Sequence, residues 1–211
     1  MADAPEGAVT THTLSTADFG VPIGDRYFED YRDGAVYEYG WASVTEEEII
    51  AFARRFDPQP IHTDAGFAAA GPFGGLIASG WHTAGILMRL FADHYLSRVA
   101  SLASPGVDEM RWATPLRPGD RLQLRTTIIE TRRSRSKPDR GLVRTRAELL
   151  NQDGLSPMSL IAMNLLKLRD ELHARGLRSS GDVRMHAPGR AATTPSGPGA
   201  LLCLGGAQAG L

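Results

Sequence analysis

The stretch at residues 75–98 constrains the fold most tightly. Apolar residues fall at Leu76, Ile77, Gly80, Ala84, Leu87, Met88, Phe91 and Tyr95, in steps of three and four, with further apolar residues between them. That spacing predicts a helix, and a helix apolar on nearly every side must be covered on nearly every side. Ser79, His82 and Arg89 interrupt the run, so it reads as a buried helix and not as a membrane span. The cover follows in sequence, as four segments at residues 107–113, 120–132, 142–150 and 158–168. In the second, Leu122, Leu124, Thr126 and Ile128 alternate with Arg121, Gln123, Arg125 and Thr127. In the third, Val143, Thr145, Ala147 and Leu149 alternate with Arg144, Arg146 and Glu148. A period of two with one polar face predicts antiparallel strands that pack on one side. Turn residues, among them Pro118-Gly119-Asp120 and Gln152-Asp153-Gly154, punctuate them.

Upstream, Val36-Tyr37-Glu38-Tyr39 reads as a strand. Thr45 with Glu48 three positions on has capping-box spacing and starts a helix that runs to about Phe56. Asp64 caps a short helical turn to Ala70, which Gly71-Pro72 ends. One strand, short helices, one long apolar helix and four strands add up to an α+β domain. A single curved antiparallel sheet wrapped around one helix satisfies all the faces, which is the hot-dog architecture, expected over residues 25–170. Residues 1–24 read as a loose lead-in. Residues 171–211, rich in Gly, Pro and Ser, read as a low-complexity, disordered tail. A net charge of −1 gives no drive toward nucleic acid or an anionic membrane. The single cysteine, Cys203, excludes an internal disulfide framework, and residues 1–20 carry no apolar secretory core, so a cytoplasmic location is expected.

The chemistry concentrates in Asp57-Pro58-Gln59-Pro60-Ile61-His62. Each proline fixes its own φ and pushes the residue before it out of the α region, so the segment is expected to be extended and stiff. A carboxylate and an imidazole held against an apolar wall can share protons with a small substrate, which is acid–base chemistry. Which of the two is the base stays open, since such a pair titrates as a unit. Gly80 falls in the first turns of the apolar helix. Without a side chain it lets a ligand approach the backbone, where a helix N-terminus favours negative charge.

With Gly74-Gly75-Leu76-Ile77-Ala78-Ser79-Gly80-Trp81 and Thr114-Pro115-Leu116-Arg117-Pro118-Gly119-Asp120, this segment resembles the MaoC-like dehydratase family, also called hydratase 2 and including R-specific enoyl-CoA hydratases. The resemblance spans about residues 25–169. It implies a hot-dog fold and a hydro-lyase that adds or removes water across the C2–C3 bond of an acyl thioester. By the same resemblance Asp57 and His62 hold the catalytic water, and the Gly80 N–H binds the thioester oxygen. The family often carries Asn where this chain has Gln59. Gln59, Ser79 and Trp81 are expected to touch substrate. The implied partner is an acyl-CoA or acyl-carrier thioester, in fatty acid metabolism, with coenzyme A entering as part of the substrate and no separate cofactor. A homodimer or a higher homo-oligomer is expected.

Other readings meet specific obstacles. His62-Thr63-Asp64 lacks further ligands at useful spacing for a metal, and Gly74-Gly75 lacks the Lys-Ser/Thr of a phosphate loop. The basic run Arg132-Arg133-Ser134-Arg135-Ser136-Lys137 has no interleaved aromatics, which weakens a nucleic-acid role. Arg135 and Lys137 are the candidates there for the phosphates of a CoA or phosphopantetheine arm. A hot-dog thioesterase and a non-catalytic acyl-binding subunit are the alternatives to the hydro-lyase.

Overall fold

The structure is a computed structural model that describes residues 19–169 and the backbone of residues 12–13. Six strands form one antiparallel sheet: β1 His12–Thr13, β2 Val36–Ser43, β3 Ser101–Trp112, β4 Arg121–Arg133, β5 Arg140–Leu150 and β6 Met158–Lys167. Their spatial order is β1-β2-β4-β5-β6-β3. The expected alternation holds: Leu122, Leu124, Thr126 and Ile128 on β4 and Val143, Thr145, Ala147 and Leu149 on β5 are all buried. They face the core with Leu160 and Leu166 of β6. Four helices connect the strands: α1 Glu46–Phe56, α2 Pro60–Thr63, α3 Ala65–Ala70 and α4 Gly80–His94. The whole is the α+β hot-dog arrangement, with α4 lying in the curve of the sheet.

Several expected boundaries move, each for a visible reason. The long helix begins at Gly80 and not at Gly75. Gly74 and Gly75 adopt φ values of +63° and +156°, which no helix accommodates. Residues 76–79 form no helix, and the Ala78 N–H donates to the Leu116 carbonyl at 2.8 Å. Ser79 then caps α4 by accepting from the Trp81 N–H. At the other end α4 stops at His94, where the buried Arg26 guanidinium takes the His94 and Tyr95 carbonyls at 3.1 and 2.9 Å. Its buried face is Thr83, Leu87, Leu90 and Phe91, a stripe and not a full circumference. Met88 and the Arg89–Asp93 ion pair look outward, because one sheet covers only one side.

The packed unit also begins before residue 25. Phe19 is buried and stacks on Tyr37 at 4.0 Å between ring centroids, and His12–Thr13 pairs with Tyr39 and Gly40. The lead-in boundary at residue 24 therefore falls inside structure. The tail at 171–211 lies outside the described residues. Among the described residues no helix is long and apolar enough to cross a membrane.

Candidate active site

Asp57 ends α1 as its C-cap, and Gln59 precedes α2 as its N-cap. The segment is therefore not extended throughout. Pro60 occupies the first position of α2, where its missing N–H has no helical partner to lose, so the second proline starts a helical turn that carries His62. His62 is only 5% exposed. Its Nδ1 lies 2.8 Å from the Ile77 carbonyl, which can only accept, so Nδ1 carries the hydrogen. In the neutral ring the lone pair is then on Nε2, which faces Asp57 Oδ2 at 3.6 Å.

Both oxygens of Asp57 are held. Gln59 Nε2 donates to Oδ1 at 2.7 Å, and Ser79 Oγ donates to Oδ2 at 2.7 Å. The Gln59 bond first, and the Ser79 bond after it, keep the Asp57 carboxyl below its ordinary value of 3.8. Gln59 thus clamps the carboxylate, and the longer side chain still reaches it. Ser79 is fully buried, so it serves Asp57 and does not stand exposed to a substrate.

These groups open on a cavity of about 400 Å³. Asp57, Gln59, His62, Gly80 and Trp81 line it, together with Phe73, Thr83, Trp112 and Leu116. The Gly80 N–H is the first amide of α4 and has no partner within the helix. The chain brings the Asp57–His62 pair and this amide to one cavity. Gly80 has a second reason to be glycine: a Cβ there would lie 2.7 Å from the Trp112 ring. Trp112 in turn donates its indole N–H to the Gly80 carbonyl at 2.8 Å and meets Trp81 edge-on at 5.5 Å.

Trp112 was not legible as a site residue. Its signal is joint, an aromatic ending β3 and a glycine opening α4, and neither alone points to the other. Thr114, which also lines the cavity, has its hydroxyl oxygen buried without a partner among the described residues. Arg135 and Lys137 do not join the cavity. They sit on the β4–β5 turn, whereas the cavity takes residues 112–116 from before the start of β4. β4, 13 residues long, runs between the two places, and neither residue lines the cavity. Arg132 and Arg133 of the same run pair with Glu130 and Glu29.

Comparison with known proteins identifies the family. The MaoC-like domain family matches residues 31–149, more than half of the chain. The chain is 32% identical over 117 residues to 3-hydroxyacyl-thioester dehydratase Z of Mycobacterium tuberculosis, covering 54% of this chain and 72% of that protein. It is 29% identical over 109 residues to 3-hydroxybutyryl-CoA dehydratase of Methylorubrum extorquens, covering 49% of this chain and 64% of that protein. The crystal structure of a MaoC-like dehydratase from Rhodospirillum rubrum superposes with a TM-score of 0.64 at 38% identity, over 68% of this chain and 98% of that one. With the sheet, the helix and these matches together, the chain belongs to the MaoC-like dehydratase family.

Proposed function

We propose that this protein hydrates 2-enoyl thioesters to 3-hydroxyacyl thioesters and catalyses the reverse dehydration. The observation that carries the reading is the 3.6 Å separation of His62 Nε2 and Asp57 Oδ2 at the wall of the cavity. With neutral His62 both atoms are acceptors. A water ~2.8 Å from each would donate one hydrogen to each and turn its lone pairs toward the substrate. Attack of that oxygen at C3 moves the double-bond electrons onto the thioester oxygen. The proton passes to the Asp57–His62 pair, and the enolate charge is met by the Gly80 N–H at the positive end of α4. The enolate then collapses, C2 takes a proton from the pair, and the elements of water have been added across C2–C3. The bonds from Gln59 and Ser79 hold the Asp57 carboxyl below its ordinary value, which suits it to face the water as an anion, and the pair handles the proton as a unit.

The substrate arm would enter past Trp81 and Trp112, which are 60% and 45% exposed. Incubation of the purified protein with a panel of enoyl-CoAs of increasing chain length tests the reading by loss of the conjugated enoyl absorbance. Turnover of at least one member is expected. No turnover of any enoyl-CoA or enoyl-carrier thioester would reject it.

A further inference from the structure

The two halves of the site lie on separate pieces of chain. Asp57 caps the end of α1, and the Gly80 amide opens α4. One side chain joins them. The Ser79 hydroxyl donates to Asp57 Oδ2 at 2.7 Å and accepts from the Trp81 N–H at 3.2 Å. A hydroxyl has one hydrogen, and a backbone N–H can only donate, so each bond fixes the direction of the other. Gln59 cannot replace this link, because it holds the opposite oxygen, Oδ1. Without Ser79, Oδ2 would be free to rotate away from His62 Nε2.

We propose that Ser79 is a positioning residue that acts through Asp57. It holds Oδ2 across from His62 and keeps the proton-handling pair in register with the first amides of α4. The proposal rests on the hydration reading of this site. It also explains how a helix cap, ordinarily a matter of stability alone, enters the rate. Loss of the cap weakens the helix. Loss of the bond to Asp57 disorders the carboxylate. The two effects separate experimentally.

The test places Ser79→Ala, Ser79→Gly and Ser79→Thr in the full-length protein, alone and with Asp57→Asn. Loss of a hydrogen bond to a charged group predicts a ~10–100-fold fall in kcat for Ser79→Ala, with KM changed less than about threefold. Ser79→Gly restores most of the capping, since glycine is tolerated at that position, yet should lose as much kcat. Ser79→Thr keeps the hydroxyl and should recover part of the rate. In the Asp57→Asn background the added Ser79→Ala should cost less than about threefold, because the group it positions is already gone. Wild-type kcat in Ser79→Ala, or losses that multiply in the double variant, would overturn the proposal. A carbon NMR titration of the Asp57 carboxyl gives a readout independent of activity. Its midpoint should rise in Ser79→Ala, and an unchanged midpoint would overturn the assignment. Absence of turnover in the wild-type protein would reject the hydration reading, and the NMR midpoint would then decide the Ser79–Asp57 link by itself.

Discussion

A methyl group at position 80 separates the two roles of Gly80. Its Cβ would stand 2.7 Å from Trp112 Cε2, 2.8 Å from Nε1 and 3.1 Å from Cδ2. Carbon atoms prefer about 3.5–4.0 Å, so the indole would have to retreat by roughly 1 Å. That retreat strains the bond from its N–H to the Gly80 carbonyl and the edge contact with Trp81. Overpacking of this kind costs ~1–3 kcal/mol, and the half-exposed ring, which has room to move, places the cost near 1 kcal/mol. Alanine is a better helix former than glycine, but residue 80 is the first helical position and gains little from it. A net loss of about 1 kcal/mol lowers Tm by about 2–4 °C in a chain of this size. On a Trp112→Leu background the ring is absent and the loss should vanish, giving a coupling of ~1 kcal/mol in the double-mutant cycle. Thermal unfolding by circular dichroism reads the cycle, and enoyl-CoA turnover reads the site. Gly80→Ala keeps the backbone N–H but brings a methyl to the cavity wall, so kcat should fall in both backgrounds while the Tm penalty appears only where Trp112 is present. The same Tm penalty in both backgrounds would refute close approach of Trp112 as the reason for glycine.

Asp57→Asn and His62→Ala should each lower kcat ~10²–10⁴-fold with the fold intact by circular dichroism. The double variant should be little slower than either, as expected of groups that act as a unit. Asp57 has a folded-state pKa below its ordinary 3.8, so its stabilisation is complete above that value and is lost as pH falls through the folded value. The Tm gap between wild type and Asp57→Asn should therefore narrow progressively as pH falls below about 5, and a constant gap would contradict the assignment. Arg135→Ala with Lys137→Ala should change KM for an enoyl-CoA less than about twofold, since neither residue lines the cavity. Trp81, Met88, Val107 and Trp112 are exposed on α4 and the edge strand β3, so light scattering should show a C2 dimer burying more than ~1,000 Å². A monomer at micromolar concentration would count against that assembly.

The hot-dog core was legible because two periods sit side by side in the sequence. The alternation on β4 and β5 named the buried face residue by residue, and the Thr45–Glu48 capping box marks the start of α1, where both of its bonds form. That Asp57 and His62 come together at one cavity was legible because two prolines flag a stiffened turn. What escaped was long-range. The start of α4 depends on the φ values of Gly74 and Gly75 and on pairing of Ala78 with Leu116, and no local apolar pattern reports either. Trp112 reaches Gly80 across 32 residues, and Arg26 caps α4 from 68 residues upstream. Ser79 reads in sequence as a substrate contact because it adjoins Gly80, whereas in the fold it is buried and bonded to Asp57. Arg135 and Lys137 stand out in the sequence by charge density alone, which carries no information about distance from the cavity.

Isotope placement tests most directly whether water adds at C3 of a thioester. The enoyl-CoA turned over fastest is incubated with the protein in ¹⁸O-labelled heavy water, and the product is read by mass spectrometry and NMR. Hydration predicts one ¹⁸O in the C3 hydroxyl, one deuterium on C2 and an intact thioester. Label in a free carboxylate, with release of the thiol, would mean that water attacks the thioester carbonyl, and the roles given to Asp57, His62 and Gly80 would be wrong.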